Sequence, residues 1–163
     1  ARLIRRCIGV YRTHTPSIAL WPAAKRCLER FADHRKFLVT DGNSTAQSRK
    51  VAALGLDLHF ERMFLTYRHG HARSKPSPYC FERIRTLTRA QPCDVIYIAD
   101  NPSKDFVGIR PLGFGTVRVL TGQHAATRAA PGHDAELILP DLDGLTRDAV
   151  QALHERLARH VQH

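Results

Sequence analysis

The sequence predicts an α/β architecture in which a parallel sheet is covered by helices on both faces. Short apolar runs, Phe37-Leu38-Val39-Thr40, Val95 to Ala99 and Thr116 to Leu120, are bounded by turn-forming residues and read as strands. Between them, apolar residues recur at helical spacing, as in Phe81, Ile84 and Leu87. Strands that alternate with helices form parallel sheets, because each crossover lays a helix on a face.

In chain order, residues 1 to 10, with Leu3, Ile4, Cys7, Ile8 and Val10, read as a helix rather than a strand. Pro22 starts a helix in which Ala24, Leu28 and Phe31 share a face. Lys36 to Thr40 is predicted as a strand, Ser44 to Leu54 as a helix ended by Gly55, and Met63 to Thr66 as a second strand. Pro78 to Arg89 reads as a helix, since proline at the first turn lacks only an N–H that would be unpaired anyway. After the strand Val95 to Ala99, a helix is expected from Ser103 to about Leu112, closed by Gly113. The strand Thr116 to Leu120 leads into a loop of small and basic residues, Thr121 to Gly132. A short strand, Glu136 to Leu139, precedes a terminal helix, Thr146 to Arg159, with Val150, Leu153 and Leu157 turned inward.

At 163 residues one domain with a sizeable core is expected. No apolar run approaches the ~18 residues of a membrane-spanning helix, and no signal-peptide pattern is present. The expectation is a soluble, cytoplasmic protein with no membrane partner. The net charge of +10 raises nucleic acid as a partner. The basic residues, however, are spread over separate clusters (Arg2, Arg5 and Arg6; Arg83, Arg85 and Arg89; Arg156 and Arg159) without interleaved aromatics, so a solvated surface is expected instead. Cys7, Cys27, Cys80 and Cys93 are scattered, with no Cys-x-x-Cys pair, and read as buried reduced thiols rather than metal ligands. The spacing of His69-Gly70-His71 suits no common zinc motif, and this stretch is expected to be a solvated loop facing substrate.

Chemistry concentrates where strands end. Asp100 closes an apolar strand and Asp105 follows five residues later; Mg²⁺ takes one or two carboxylates together with water and phosphate. Thr40 ends another strand, followed by Asp41-Gly42-Asn43, where backbone N–H groups at the next helix start can cradle an oxyanion. Lys75 stands in the rigid Ser74-Lys75-Pro76 loop before a helix. A hydroxyl, a lysine and two carboxylates at element ends suit phosphoryl transfer, which is mostly positioning and charge neutralisation.

The order and spacing of these residues resemble the haloacid dehalogenase superfamily, in its phosphatase-like branch. Thr40 matches that family's second motif, Lys75 the third, and Asp100 with Asp105 the fourth. Supporting stretches are Tyr11 to Pro16, Leu20 to Pro22, Ala53 to Leu56 and Asp134 to Ile138, so the resemblance covers roughly residues 11 to 145. It implies a three-layer αβα Rossmann-like core, residues 21–163, with residues 1–20 as the end of a cap and its return linker. It also implies hydrolysis of a small phosphorylated metabolite through an aspartyl-phosphate. Thr40, Lys75 and the Asp41–Gly42 turn would contact phosphate, Asp100 and Asp105 would bind Mg²⁺, and Asn101 would orient the metal's carboxylates or waters.

The family's first motif, Asp-x-Asp-x-Thr/Val, is missing. No acidic residue lies between Ala1 and Leu20, so the chain reads as the C-terminal part of a longer protein, lacking the first strand, the nucleophile and most of the cap. Asp141-Leu142-Asp143 follows an apolar run and offers a circularly permuted alternative. Leu145 stands where that motif needs Thr or Val, and Pro140 interrupts the junction, so a simple turn is preferred. From other classes, the alternatives are a doubly wound binding or receiver-like module, or a basic nucleic-acid-binding protein. Asp41, where a carboxylate would repel phosphate, is expected to turn toward solvent or a cation.

Overall fold

The structure, a computed structural model, describes residues 2–161, and of Val161 the backbone alone. Residue 1 and residues 162–163 of the expected cap and core segments therefore lie outside the described residues. The elements are α1 (Arg2–Thr13), α2 (Pro22–Arg30), β1 (Phe37–Thr40), α3 (Ser44–Ala53), β2 (Arg62–Leu65), α4 (Tyr79–Thr88), β3 (Ile96–Ala99), β4 (Gly115–Val119), β5 (Leu137–Leu139) and α5 (Arg147–Val161). Local chemistry sets several boundaries. Pro22 opens α2, the Asn43 side chain accepts from the Ala46 N–H to cap α3, and Gly55 in the left-handed conformation follows that helix.

All strand pairs are parallel, as expected, but they form two sheets. β1 pairs with β2, and β3, β4 and β5 pair in that order. Among the described residues, β1 and β3 are thus each hydrogen-bonded along one side only. Side chains join the two sheets. Val39 and Phe64 from the first share an apolar cluster with Phe81, Ile84, Ile109 and Phe114, against which Val95 and Tyr97 pack. On the opposite face, Ile96 and Val117 meet Phe31, Leu145, Leu153 and Leu157. Neighbouring residues Ile96 and Tyr97 serve different faces because side chains alternate along a strand. Helices therefore cover both faces. Ile98 nevertheless remains 37% exposed, and α1 buries none of its residues.

One expected element is absent. In place of a helix from Ser103 to Leu112, residues 102–109 form turns and bends, followed by a single 3-10 turn, Arg110–Leu112. Isolated helical bonds survive, Asp105 N–H to Asn101 O at 3.0 Å and Arg110 N–H to Phe106 O at 2.9 Å. Pro111 has no N–H with which to extend them. The segment is also pressed onto the loop before α4: a Cβ added at Gly108 would stand 1.7 Å from the Pro76 carbonyl oxygen. Phe106 and Ile109 are fully buried, so their three-residue spacing reported burial rather than a continuous helix. Of the cysteines, Cys80 and Cys93 are buried as expected, Cys27 is half-buried, and Cys7 is exposed on α1.

Gly108→Ala is expected to destabilise the chain by about 1–3 kcal/mol, the usual cost of overpacking, read as a lower urea midpoint at unchanged m. An unshifted midpoint would show that the Pro76 loop yields freely.

Candidate active site

β1 delivers Thr40 to a turn that only glycine accommodates. Gly42 has φ +126°, and a Cβ there would stand 2.8 Å from Gln47 Nε2. Gln47, in the first turns of α3, accepts a hydrogen bond from the Thr40 hydroxyl at 3.1 Å. Asp41 turns inward. Its Oδ1 accepts from the buried Thr66 hydroxyl at 2.8 Å and from the Lys75 backbone N–H at 3.3 Å, and its Oδ2 meets the Lys104 ammonium at 2.9 Å. Burial alone would raise the Asp41 pKa. The Lys104 and Thr66 hydrogen bonds, the Lys75 charge and the Lys75 N–H outweigh it and hold the carboxyl below its ordinary value. The carboxylate faces a cation rather than solvent.

Lys75 reaches from its loop to the second sheet. Its ammonium, 10% exposed, lies 2.8 Å from Oδ1 of Asp105, which is 3% exposed, and donates to the Tyr97 hydroxyl at 2.9 Å. That hydroxyl in turn approaches Asp105 Oδ1 at 3.4 Å. Burial, then the charges of Asp105 and Asp41, push the Tyr97 phenol well above its ordinary pKa, so it stays a neutral donor. Asp105 Oδ2 accepts the Asn101 backbone N–H at 3.0 Å. The Asn101 side chain is pinned as well: its Oδ1 accepts from Ser103 N–H at 3.0 Å, and its Nδ2 lies 3.2 Å from His124 Nε2. Asp100, half-buried at the tip of β3, has no hydrogen bond or ion pair to its carboxylate among the described residues.

The structure thus links Asp41, Lys75, Asp105 and Asn101 through direct contacts, with Thr40 and Asp100 adjoining them in the chain. The Thr40 hydroxyl itself bonds to Gln47. Sequence reasoning missed Gln47, Thr66, Tyr97 and Lys104. Lys104 stands beside Asp105 in the chain, but its partner Asp41 belongs to the other sheet. His69 and His71 lie against aromatic rings, Tyr79 at 5.4 Å and Tyr67 at 4.2 Å between centroids. Asp141 Oδ1 accepts the N–H of Asp143 and Gly144, while Asp143 grips Arg26 with both oxygens. Those two carboxylates serve a turn and the anchoring of α2.

The sequence model of the haloacid dehalogenase-like hydrolases matches residues 4–113. The chain belongs to this family. A curated relative, a glyceraldehyde 3-phosphate phosphatase from Pyrococcus furiosus, is 26% identical over 126 residues, covering 76% of this chain and 52% of the relative. The chain therefore spans about half the length of that phosphatase. Among solved structures, a conserved haloacid dehalogenase-like protein of unknown function from Agrobacterium tumefaciens superposes with a TM-score of 0.72 at 19% identity, over 93% of this chain and 69% of that one. The L-2-haloacid dehalogenase of Xanthobacter autotrophicus gives 0.65 at 20% identity, over 91% and 66% of the two chains. A protein described as a predicted phosphoglycolate phosphatase from Haemophilus somnus gives 0.62 at 21% identity, over 76% and 54%. The structural likenesses establish the Rossmann-like fold.

Two outcomes test the geometry of this cluster. Lys75→Met or Asp105→Asn, each stranding one buried partner, should cost about 3–5 kcal/mol in urea unfolding, and Lys75→Met combined with Asp105→Leu should recover part of that. A near-neutral single variant would mean that the pair does not form. Because Asp41 has a depressed pKa when folded, its stabilisation is full above the unfolded carboxyl value of about 4. It is lost as pH falls through the lower folded value. Asp41→Asn should therefore flatten the fall in urea midpoint as pH drops below about 5; an unchanged slope there would remove Asp41 from the acid transition.

Proposed function

We propose that the chain forms the phosphate- and cation-binding side of a phosphate monoesterase site acting on a small phosphorylated metabolite in the cytoplasm. The reaction would run through an aspartyl-phosphate whose nucleophilic aspartate lies in a part of the parent protein outside these 163 residues. The observation that carries this reading is the Lys75 ammonium, braced between Asp105 and Tyr97 at a strand end. A cation fixed in a nearly dry position stabilises charge on a transferring phosphoryl group without reorganising. Thr40 would turn its hydroxyl from Gln47 to a phosphate oxygen, and backbone N–H groups of the Asp41–Gly42 turn would donate beside it. Lys75 would hold phosphate and nucleophile together.

The residues present fit a hard divalent cation. Asp100 offers a carboxylate free of protein partners, and oxygen donors suit Mg²⁺. Asp105 would stand beside the ion, its two oxygens already engaged by Lys75 and the Asn101 N–H, and Asn101 would orient ligands or waters. When bound, Mg²⁺ supplies positive charge that neutralises the phosphate. The likeness to the Pyrococcus furiosus phosphatase supports a phosphorylated small molecule as substrate. Nucleic acid is disfavoured because Arg26, Arg35, Arg118 and Arg147 are tied to Asp143, Glu61, Asp134 and Asp33.

The purified chain should bind orthovanadate with Mg²⁺ weakly by calorimetry, and Lys75→Met should abolish that heat. It should not turn over p-nitrophenyl phosphate, since loss of a covalent nucleophile removes several orders of magnitude in rate. Brisk turnover eliminated by Asp141→Asn would instead place the nucleophile in the Asp141–Asp143 turn. In a longer parent protein that does turn over substrate, Lys75→Met should lower kcat/KM by about 10²–10³.

A further inference from the structure

We infer that Cys93, Asp94 and His154 form a binding site for a thiophilic divalent transition-metal ion, with the donor chemistry of Zn²⁺. Cys93 and Asp94 lie in a 3-10 turn, Pro92–Asp94, immediately before β3, and His154 lies on α5. One ligand atom from each falls within 4.8 Å of the other two. The site is separate from the Lys75 cluster and independent of the proposed phosphatase reading.

Several features prepare these groups to act together. Gln91 N–H donates to Asp94 Oδ2 at 2.9 Å, which leaves Oδ1 to face His154 Nε2 at 2.9 Å. A carboxylate fixed through its second oxygen is the kind of outer hydrogen bonding that orients metal ligands. Leu153 and Leu157 turn inward and seat α5 so that His154 is carried to the turn. Cys93 is only 7% exposed and belongs to the apolar cluster with Val117, Leu145, Leu153 and Leu157. The His–Asp contact by itself adds only about 0–1 kcal/mol, and core packing accounts for the thiol; what a metal site requires is the convergence of all three.

Thiolate, imidazole and carboxylate together favour zinc-class ions over Mg²⁺, which prefers oxygen alone. Three protein ligands leave a fourth position for water, as in open zinc sites. Binding forms a metal–sulfur bond and releases the Cys93 thiol proton to solvent; His154 must be neutral to donate its ring lone pair. No oxidation change is involved. The cysteine spacing gave no sign of this site, because two of its three ligands are neighbours in sequence and the third arrives only through the packing of α5.

Co²⁺, which accepts the same donors and reports them optically, is the probe. Titrated into the purified chain, it should saturate at one ion per chain with a thiolate-to-metal charge-transfer band, and Zn²⁺ should displace it. Cys93→Ser should remove that band, and His154→Ala should weaken binding by more than about tenfold. Cys7→Ser, at an exposed thiol elsewhere, should leave both readouts unchanged. Circular dichroism checks the fold of each variant, and His154→Ala, at a partly exposed position, keeps the test decisive should Cys93→Ser unfold. A titration without the band, a band that survives Cys93→Ser in folded protein, or an affinity untouched by His154→Ala would each overturn the assignment. Asp94 and His154 would then be an ordinary surface pair.

Discussion

An ammonium and a carboxylate 2.8 Å apart and almost out of water are tolerated only when their remaining hydrogen-bonding capacity is met, since the desolvation penalty is several kcal/mol per ion. Lys75 and Asp105 meet that condition through the Tyr97 hydroxyl and the Asn101 N–H. The consequence reaches well beyond the pair. Lys75 belongs to the loop after β2, whereas Asp105 and Tyr97 belong to β3 and the segment that follows it. β1 and β3 share no backbone hydrogen bonds, so the two sheets are held in register at their carboxyl ends by side chains. Lys104 to Asp41 repeats the tie in the opposite direction. The shared apolar cluster beneath supplies area, and the buried ion pair supplies direction.

Such a seam is unusual for a parallel sheet, whose strands are normally covered on both faces and paired on both sides except at the edges. Here, among the described residues, β1 and β3 each end their sheet, and Ile98 on β3 is more than a third exposed. Unpaired edges of this kind are templates for another strand. On the proposed reading, a further strand carrying the nucleophile would pair at this seam, beside the Thr40 turn.

Much of this was legible because strand ends carry local signals. Phe37 to Thr40 followed by Asp41-Gly42, and Val95 to Ala99 followed by Asp100, combine β-branched or aromatic runs with turn chemistry that depends on near neighbours alone. Lys75 was legible for the same reason, fixed between Ser74 and Pro76. Three things were hidden. The stretch from Ser103 to Leu112 has helical periodicity at Phe106 and Ile109, but Pro111 and the contact of Gly108 with Pro76 break it; that contact is tertiary. Tyr97 read as one apolar strand residue among others, although its hydroxyl is the part that matters. Lys104 and Asp41 meet only because the sheets meet. Cys7 misled for the converse reason, since the apolar face of α1 is not buried here.

The electrostatics of the cluster distinguish Asp100 from Asp105, which are so similar in sequence. Asp105 and Asp41 are paired with Lys75 and Lys104, and Asp100 adjoins them in the chain without a partner, which leaves these five groups, when ionised, one charge negative in a protein whose net charge is +10. The net positive charge attracts anions from a distance, but that attraction is screened within a Debye length of about 8 Å at physiological salt. At contact range, the local negative charge decides, and in a partly buried site it is felt strongly. Moving Asp105 off Lys75 to serve a cation would strand a buried ammonium. Asp100, with no partner to abandon, would on the proposed reading accept the divalent ion and reverse the sign of the cluster while leaving the Lys75 brace intact. On the proposed reading, cation binding at Asp100 therefore comes before effective phosphate binding, and the division of labour between the two aspartates follows from which of them is already neutralised.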